Sequence, residues 1–173
     1  MRTRILPHRD FATRESFERA LTDCLLDWRV ELVCQAGFMR ILTPYFVERW
    51  QDRLINIHPS LLPAFPGLDT HARALAAGVK LHGCSVHFVR AEVDSGPIIG
   101  QAAVPVLPDD TPDSLASRVL RAEHQLYPRC LELLASEQIR LHGDYVLLPT
   151  PCFDSGILLN PAPQGAGSDR EPL

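Results

Sequence analysis

The chain has 173 residues, 46% apolar and 22% charged, with a net charge of −4. That is enough for one domain with a core of its own, in the ordinary composition range of a soluble globular fold. Its charge, with no basic run, argues against a nucleic-acid backbone as partner, no stretch approaches the ~18 apolar residues of a membrane span, and no apolar segment follows Met1-Arg2-Thr3-Arg4 as a leader would require.

In chain order, Ile5-Leu6 reads as strand-like before Pro7, and Thr13 as the N-cap of a helix from Arg14 to Trp28. Phe17, Ala20, Leu21, Cys24 and Leu25 share one face of that helix. Val30 to Ala36 reads as a buried strand, Gly37 to Arg40 as a tight connection, and Pro44 opens a short helix to Trp50. Leu54 to His58 is the next strand, and the strand–helix–strand spacing predicts a parallel pair with a crossover. Pro59, Pro63 and Pro66 then enforce a loop. A helix from Thr70 ends at Gly78, and Cys84 to Arg90 is a strand. Asp94-Ser95-Gly96-Pro97 is a turn by composition. Ile98 to Val106 alternates as an antiparallel edge strand does. Thr111-Pro112-Asp113 starts a long helix to Ser136, with Leu115, Val119, Leu120, Glu123, Leu126 and Tyr127 near one face. Ile139 to Leu148 reads as a final hairpin, and residues 149–173 as a mostly disordered tail behind a single domain, 1–148. The fold class is α/β. No glycine precedes Gly37, so a glycine-rich phosphate loop at the start is absent.

The chemistry concentrates in LINIHPSLLPAFPG, residues 54–67. Asn56 and His58 stand at i and i+2, so both leave one strand face, and Pro59 ends the strand beside them. An Asn amide can donate to an oxygen that gains charge in acyl transfer, and a His can act as acid or stabilise that oxygen as imidazolium. Asp94, in a turn, can hold the His and accept a proton. No nucleophile elbow is present, so direct transfer between two bound substrates is the natural reading. His87 reads by default as a core group, and Glu123 as a solvated helix residue. Met39-Arg40-Ile41-Leu42 could grip a flat aromatic ligand with a carboxylated tail, though a loop packing its apolar residues inward is the commoner case. The five scattered cysteines lack CxxC spacing and the remaining histidines form no ligand set, which predicts reduced thiols, no metal and a cytoplasmic location.

AGFMRILTPYFV, NIHPSLLPAFPGLDTH, HGCSVHFV, VDSGPIIGQA and AEHQLYP, in this order, resemble phosphoribosylglycinamide formyltransferases, from Phe11 to Leu148. The resemblance implies a Rossmann-like, open, mostly parallel twisted sheet flanked by helices. It also implies formyl transfer from 10-formyltetrahydrofolate to the amine of phosphoribosylglycinamide in purine synthesis, without a metal. It makes Asn56, His58 and Asp94 the catalytic set. It assigns Arg14, Met39, Arg40, Ile41, Leu42, Val47, Arg90 and Asp94, with Asn56, to folate. Backbone from Arg90 to Asp94 would line the pterin site, and Pro59, His87 and Glu123 would meet the glycinamide substrate. Relative to the family pattern, the first βα units and their phosphate loop are missing, and Leu120 stands where a polar substrate contact is expected. The partners implied are small molecules, with a monomer or weak homodimer.

The alternatives are a 10-formyltetrahydrofolate hydrolase, which shares the Asn, His and Asp, and a truncated folate-binding module without turnover. A methionyl-tRNA formyltransferase would need a basic extension that the sequence does not show.

Overall fold

In the computed structural model, which describes residues 2–38 and 40–148, the first regular helix starts where its cap predicts. Thr13 caps α1 (Arg14–Asp27): its hydroxyl accepts the Ser16 N–H, and Ser16 returns the bond to the Thr13 N–H. Such a cap is worth ~1 kcal/mol. Residues 2–7 form no strand; Pro7 instead precedes a single 3-10 turn, His8–Asp10. The buried side of α1 carries Phe17 and Cys24 as expected, but also Glu18 and Thr22. Glu18 explains itself: its carboxylate accepts the Thr43 N–H and hydroxyl at the start of α2 (Pro44–Arg49), capping a helix whose own N-cap side chain makes no bond to it. Thr22 lies against the Trp50 indole N–H.

Strand β1 (Val33–Gln35) is shorter than the Val30–Ala36 expectation, because only its residues find partners along β2 (Leu54–His58). Next come α3 (Thr70–Ala76), β3 (Leu81–Phe88), β4 (Ile98–Pro105) and α4 (Pro112–Ala135). A hairpin of β5 (Arg140–His142) and β6 (Tyr145–Leu147) turns at Gly143, φ +61. Residues 149–173 lie outside the described residues, so the tail expectation falls there.

The main sheet has the order β1-β2-β3-β4. The β1–β2 pair is parallel, as the crossover through α2 predicts. The β2–β3 and β3–β4 pairs are antiparallel, so the described sheet is mixed rather than mostly parallel. For β3–β4 the reason is the connection: β3 returns directly into β4 through one loop, and adjacent strands joined that way run in opposite directions. The edge character read for Ile98 to Val106 is what β4 has.

One sheet face packs on α4. Ile55, Val86, Phe88, Ile99 and Cys130 form one cluster, and Cys84, Val104, Leu115, Val119 and Ala74 another. Leu120 is 48% exposed and does not join them. The opposite face begins at Leu54, which packs with Phe46 and Trp50 of α2. Beyond Leu54 this face becomes polar, and that change of chemistry marks the site. No helix of the described residues is long and apolar enough to cross a membrane.

Candidate active site

Asn56 pairs across the sheet with His87, and His58 with Ser85. Cross-strand partners share a face, so four polar side chains stand together at the end of β2. Asp94 reaches them from the β3–β4 connection, with a left-handed backbone at φ 54. That connection is tight: a Cβ on Gly96 would lie 1.7 Å from the Phe88 carbonyl oxygen, so only glycine fits.

Asp94 Oδ2 accepts the Gly67 N–H at 2.8 Å and lies 3.3 Å from His58 Nδ1. His58 Nε2 lies 3.0 Å from the Phe65 carbonyl oxygen. Nε2 of His58 thus faces a carbonyl at hydrogen-bond distance, and Nδ1 lies against a carboxylate oxygen at ion-pair distance. The Asn56 amide makes no side-chain hydrogen bond among the described residues and is partly exposed, so its donors are available to a bound group.

His87 is buried as its apolar strand suggests, but it also belongs to the cluster. Its Nδ1 lies 2.9 Å from the Phe88 carbonyl, which assigns the hydrogen there. Its Nε2 then points at Asp94 Oδ1 across 3.7 Å, without a hydrogen bond. Burial pushes His87 below the ordinary histidine range, while the Phe88 carbonyl and Asp94 pull upward. His87, expected among the substrate contacts, is 2% exposed and turned toward Asp94.

The loop after His58 is held by a node that sequence reading missed. The Ser85 hydroxyl donates to the Ser60 carbonyl at 2.7 Å and accepts the Leu62 N–H at 3.0 Å. Gln101 of β4 donates to both Ser85 Oγ and the Leu62 carbonyl, each at 2.9 Å. The available signal was one small polar residue inside the apolar strand CSVHFV. Behind the same loop, His82 is 1% exposed with neither ring nitrogen bonded. Burial, and then the charge of His71, push it down to about 4, against the pull of the Pro59 carbonyl.

The remaining expected residues spread along the chain. Arg14 stands exposed at the first position of α1. The Arg40 guanidinium lies 5.7 Å from the centre of the Phe17 ring, one turn along α1 from Arg14. Ile41 is 63% exposed, Leu42 packs on the Phe46–Trp50 cluster, and Val47 is buried. Met39 lies outside the described residues. The Arg90 side chain donates to Asp52 at 2.7 Å, so its segment offers backbone rather than a guanidinium. Glu123 is half-buried on α4. Burial raises its carboxyl above the usual range, and His124 and His58 lie near enough to pull it back. Among the described residues no cluster of three His, Cys, Asp or Glu groups is placed to hold a metal. Cys24, Cys34, Cys84 and Cys130 are free thiols.

Comparison with known proteins adds four findings. A family model described as formyl transferase matches residues 2–131. The chain is 54% identical over 132 residues to the trifunctional purine biosynthetic protein adenosine-3 of Drosophila melanogaster, covering 76% of this chain and 10% of that protein. It is 46% identical to the phosphoribosylglycinamide formyltransferase of Escherichia coli K12, covering 76% of this chain and 62% of the relative. Its fold superposes with a TM-score of 0.79 on a crystal structure of glycinamide ribonucleotide transformylase 1 from Symbiobacterium toebii, at 46% identity, covering 81% of this chain and 66% of that one. The chain thus spans less than two thirds of the length of these relatives.

Proposed function

The chain belongs to the formyl transferase family, and on that premise we propose that it transfers a formyl group from 10-formyltetrahydrofolate to the amine of phosphoribosylglycinamide. The observation that carries the reading is the closure of Asp94 onto His58 beside an Asn56 amide that bonds no side chain among the described residues.

The amine attacks the formyl carbon, and the formyl oxygen takes up negative charge. The Asn56 amide N–H and a His58 ring N–H donate to that oxygen. Since Nδ1 faces the Asp94 carboxylate, Nε2 is the nitrogen free to exchange its acceptor, from the Phe65 carbonyl to the substrate oxygen. Asp94 keeps the ring in place and accepts the proton released by the attacking amine, directly or through water. Collapse returns a proton to the folate nitrogen, and tetrahydrofolate leaves. Charge-directed donors of this kind supply several kcal/mol of barrier lowering when preorganised.

On the folate side, Arg14 and Arg40 suit the carboxylated tail, Ile41, Leu42 and Val47 its apolar ring, and backbone from Arg90 to Asp94 the pterin. On the acceptor side, Pro59 and Glu123 flank the entry of the amine, and His87 acts through Asp94. The reaction suits the cytoplasm, where both small-molecule substrates would be met.

The test is an assay of formyl transfer to glycinamide ribonucleotide, with folate binding and formate release followed in parallel. Transfer that depends on the amine acceptor is the expected result. Formate release without an acceptor would make the chain a hydrolase. Folate binding with neither activity would make it a binding module.

A further inference from the structure

The residue that fixes the resting acceptor of His58 lies outside the cluster. Phe65, whose carbonyl faces His58 Nε2 at 3.0 Å, sits in a loop of unusual backbone. Phe65, Gly67 and Asp69 have φ of 54, 78 and 56. Left-handed conformation is unfavourable at a bulky Phe, so a surrounding device must hold it.

That device is Arg73 of α3. Its Nη1 donates to the Pro66 carbonyl at 2.5 Å and to the Leu68 carbonyl at 3.2 Å. The same guanidinium lies 5.7 Å from the centre of the Phe65 ring. The His82 ring meets Phe65 edge-to-face at 5.9 Å. Phe65 is therefore held by two side chains from separate elements, while Asp94 takes the Gly67 N–H two residues on.

We infer that Arg73 is a positioning residue: it holds residues 65–68 so that the Phe65 carbonyl and the Gly67 amide reach His58 and Asp94 together. It acts on the orientation of the His58 ring without touching substrate. The inference rests on the proposed role of His58 for its consequence in catalysis, but its geometry stands independently. Arg73 is exposed, so its removal leaves no buried charge behind.

The experiment compares wild type with Arg73→Ala and Arg73→Lys in ring 15N–1H spectra of His58 at fixed pH, with the Gly67 amide and thermal melting recorded alongside. In Arg73→Ala, the His58 Nε2–H resonance should be lost to solvent exchange or move upfield, and the Gly67 amide should shift, at temperatures well below melting. Lys can donate to both carbonyls but lacks the planar face, so Arg73→Lys should recover the Gly67 shift in part. Unchanged His58 and Gly67 signals in Arg73→Ala overturn the inference, even if melting drops. Formyl transfer provides a second readout: kcat should fall, by up to ~10²-fold for a misplaced acid, with KM for the folate little changed. A wild-type chain that transfers no formyl group would sink the functional reading and leave the spectroscopic result to decide this one.

Discussion

His58 Nδ1 lies 3.3 Å from Asp94 Oδ2, and that same oxygen accepts the Gly67 N–H at 2.8 Å. One carboxylate therefore orients the ring and anchors the loop that follows it. Asp94→Asn keeps the size and one acceptor oxygen but removes the charge. Formyl transfer should fall ~10²–10⁴-fold, the range for a positioned acid–base group. Melting should change little, which a calorimetric scan of the variant checks.

Asn56→Ala and His58→Ala each remove one donor to the developing oxyanion. Each should cost ~10²–10³-fold in kcat while folate binding persists. Stopped-time assays and folate titration on the same preparations separate the two effects. Near-normal turnover in both variants would falsify the assignment.

Ser85→Ala breaks a fully buried node. The Leu62 N–H loses its acceptor and the Ser60 carbonyl its donor. Leaving such groups unpaired costs about 1–3 kcal/mol each, so the variant should show a clearly lowered denaturation midpoint. Ser85→Thr, which keeps the hydroxyl, should retain more of the stability if the added methyl is accommodated.

Gly96→Ala places a Cβ 1.7 Å from the Phe88 carbonyl oxygen. Backbone rather than a flexible side chain is in the way, so the connection must open and carry Asp94 with it. Both stability and transfer should fall, the former by about 1–3 kcal/mol or more. A variant with wild-type melting would show that the connection is looser than the structure has it.

Acid should destabilise the fold through its buried histidines. His82 is held at about 4, below the 6.5 of an ordinary histidine. Between these values the unfolded chain binds the proton and the folded one does not, so stability rises with pH across that window and is lost as pH falls through it. His71 and His87 are shifted in the same direction, chiefly by burial. Each group contributes up to ~1.4 kcal/mol per pH unit. Denaturation midpoints at pH 7 and pH 5 should therefore differ, and His82→Gln should flatten the difference.

Local features were legible because they depend on neighbours in sequence. The Thr13 and Thr111 caps, the α4 face through Leu115 and Val119, the Gly143 hairpin and the polar pair on Leu54–His58 all follow from spacing and turn chemistry. The alternation of Ile98 to Val106 already showed β4 as an antiparallel edge, but the antiparallel run of β3 against β2 was not legible, because the length of a connection constrains direction only when its path is known. Glu18 was missed because a buried carboxylate on an apolar helix face makes sense only once the Thr43 N–H stands opposite it.

The sequence by itself determined the residue types at the end of β2 and the family they resemble, since an i, i+2 pair before a proline is encoded by adjacent positions. Only the tertiary structure decided what those residues do to one another. The antiparallel return of β3 sets His87 and Ser85 beside Asn56 and His58. The tight β3–β4 connection brings Asp94 onto the histidine, and the left-handed loop delivers the Phe65 carbonyl to its other nitrogen. The strand pairings and the Asp94–His58 contact join residues far apart in the chain, so no short window of sequence contains both partners; Phe65 stands only seven residues from His58, but its left-handed backbone is held by Arg73 and His82 from other elements.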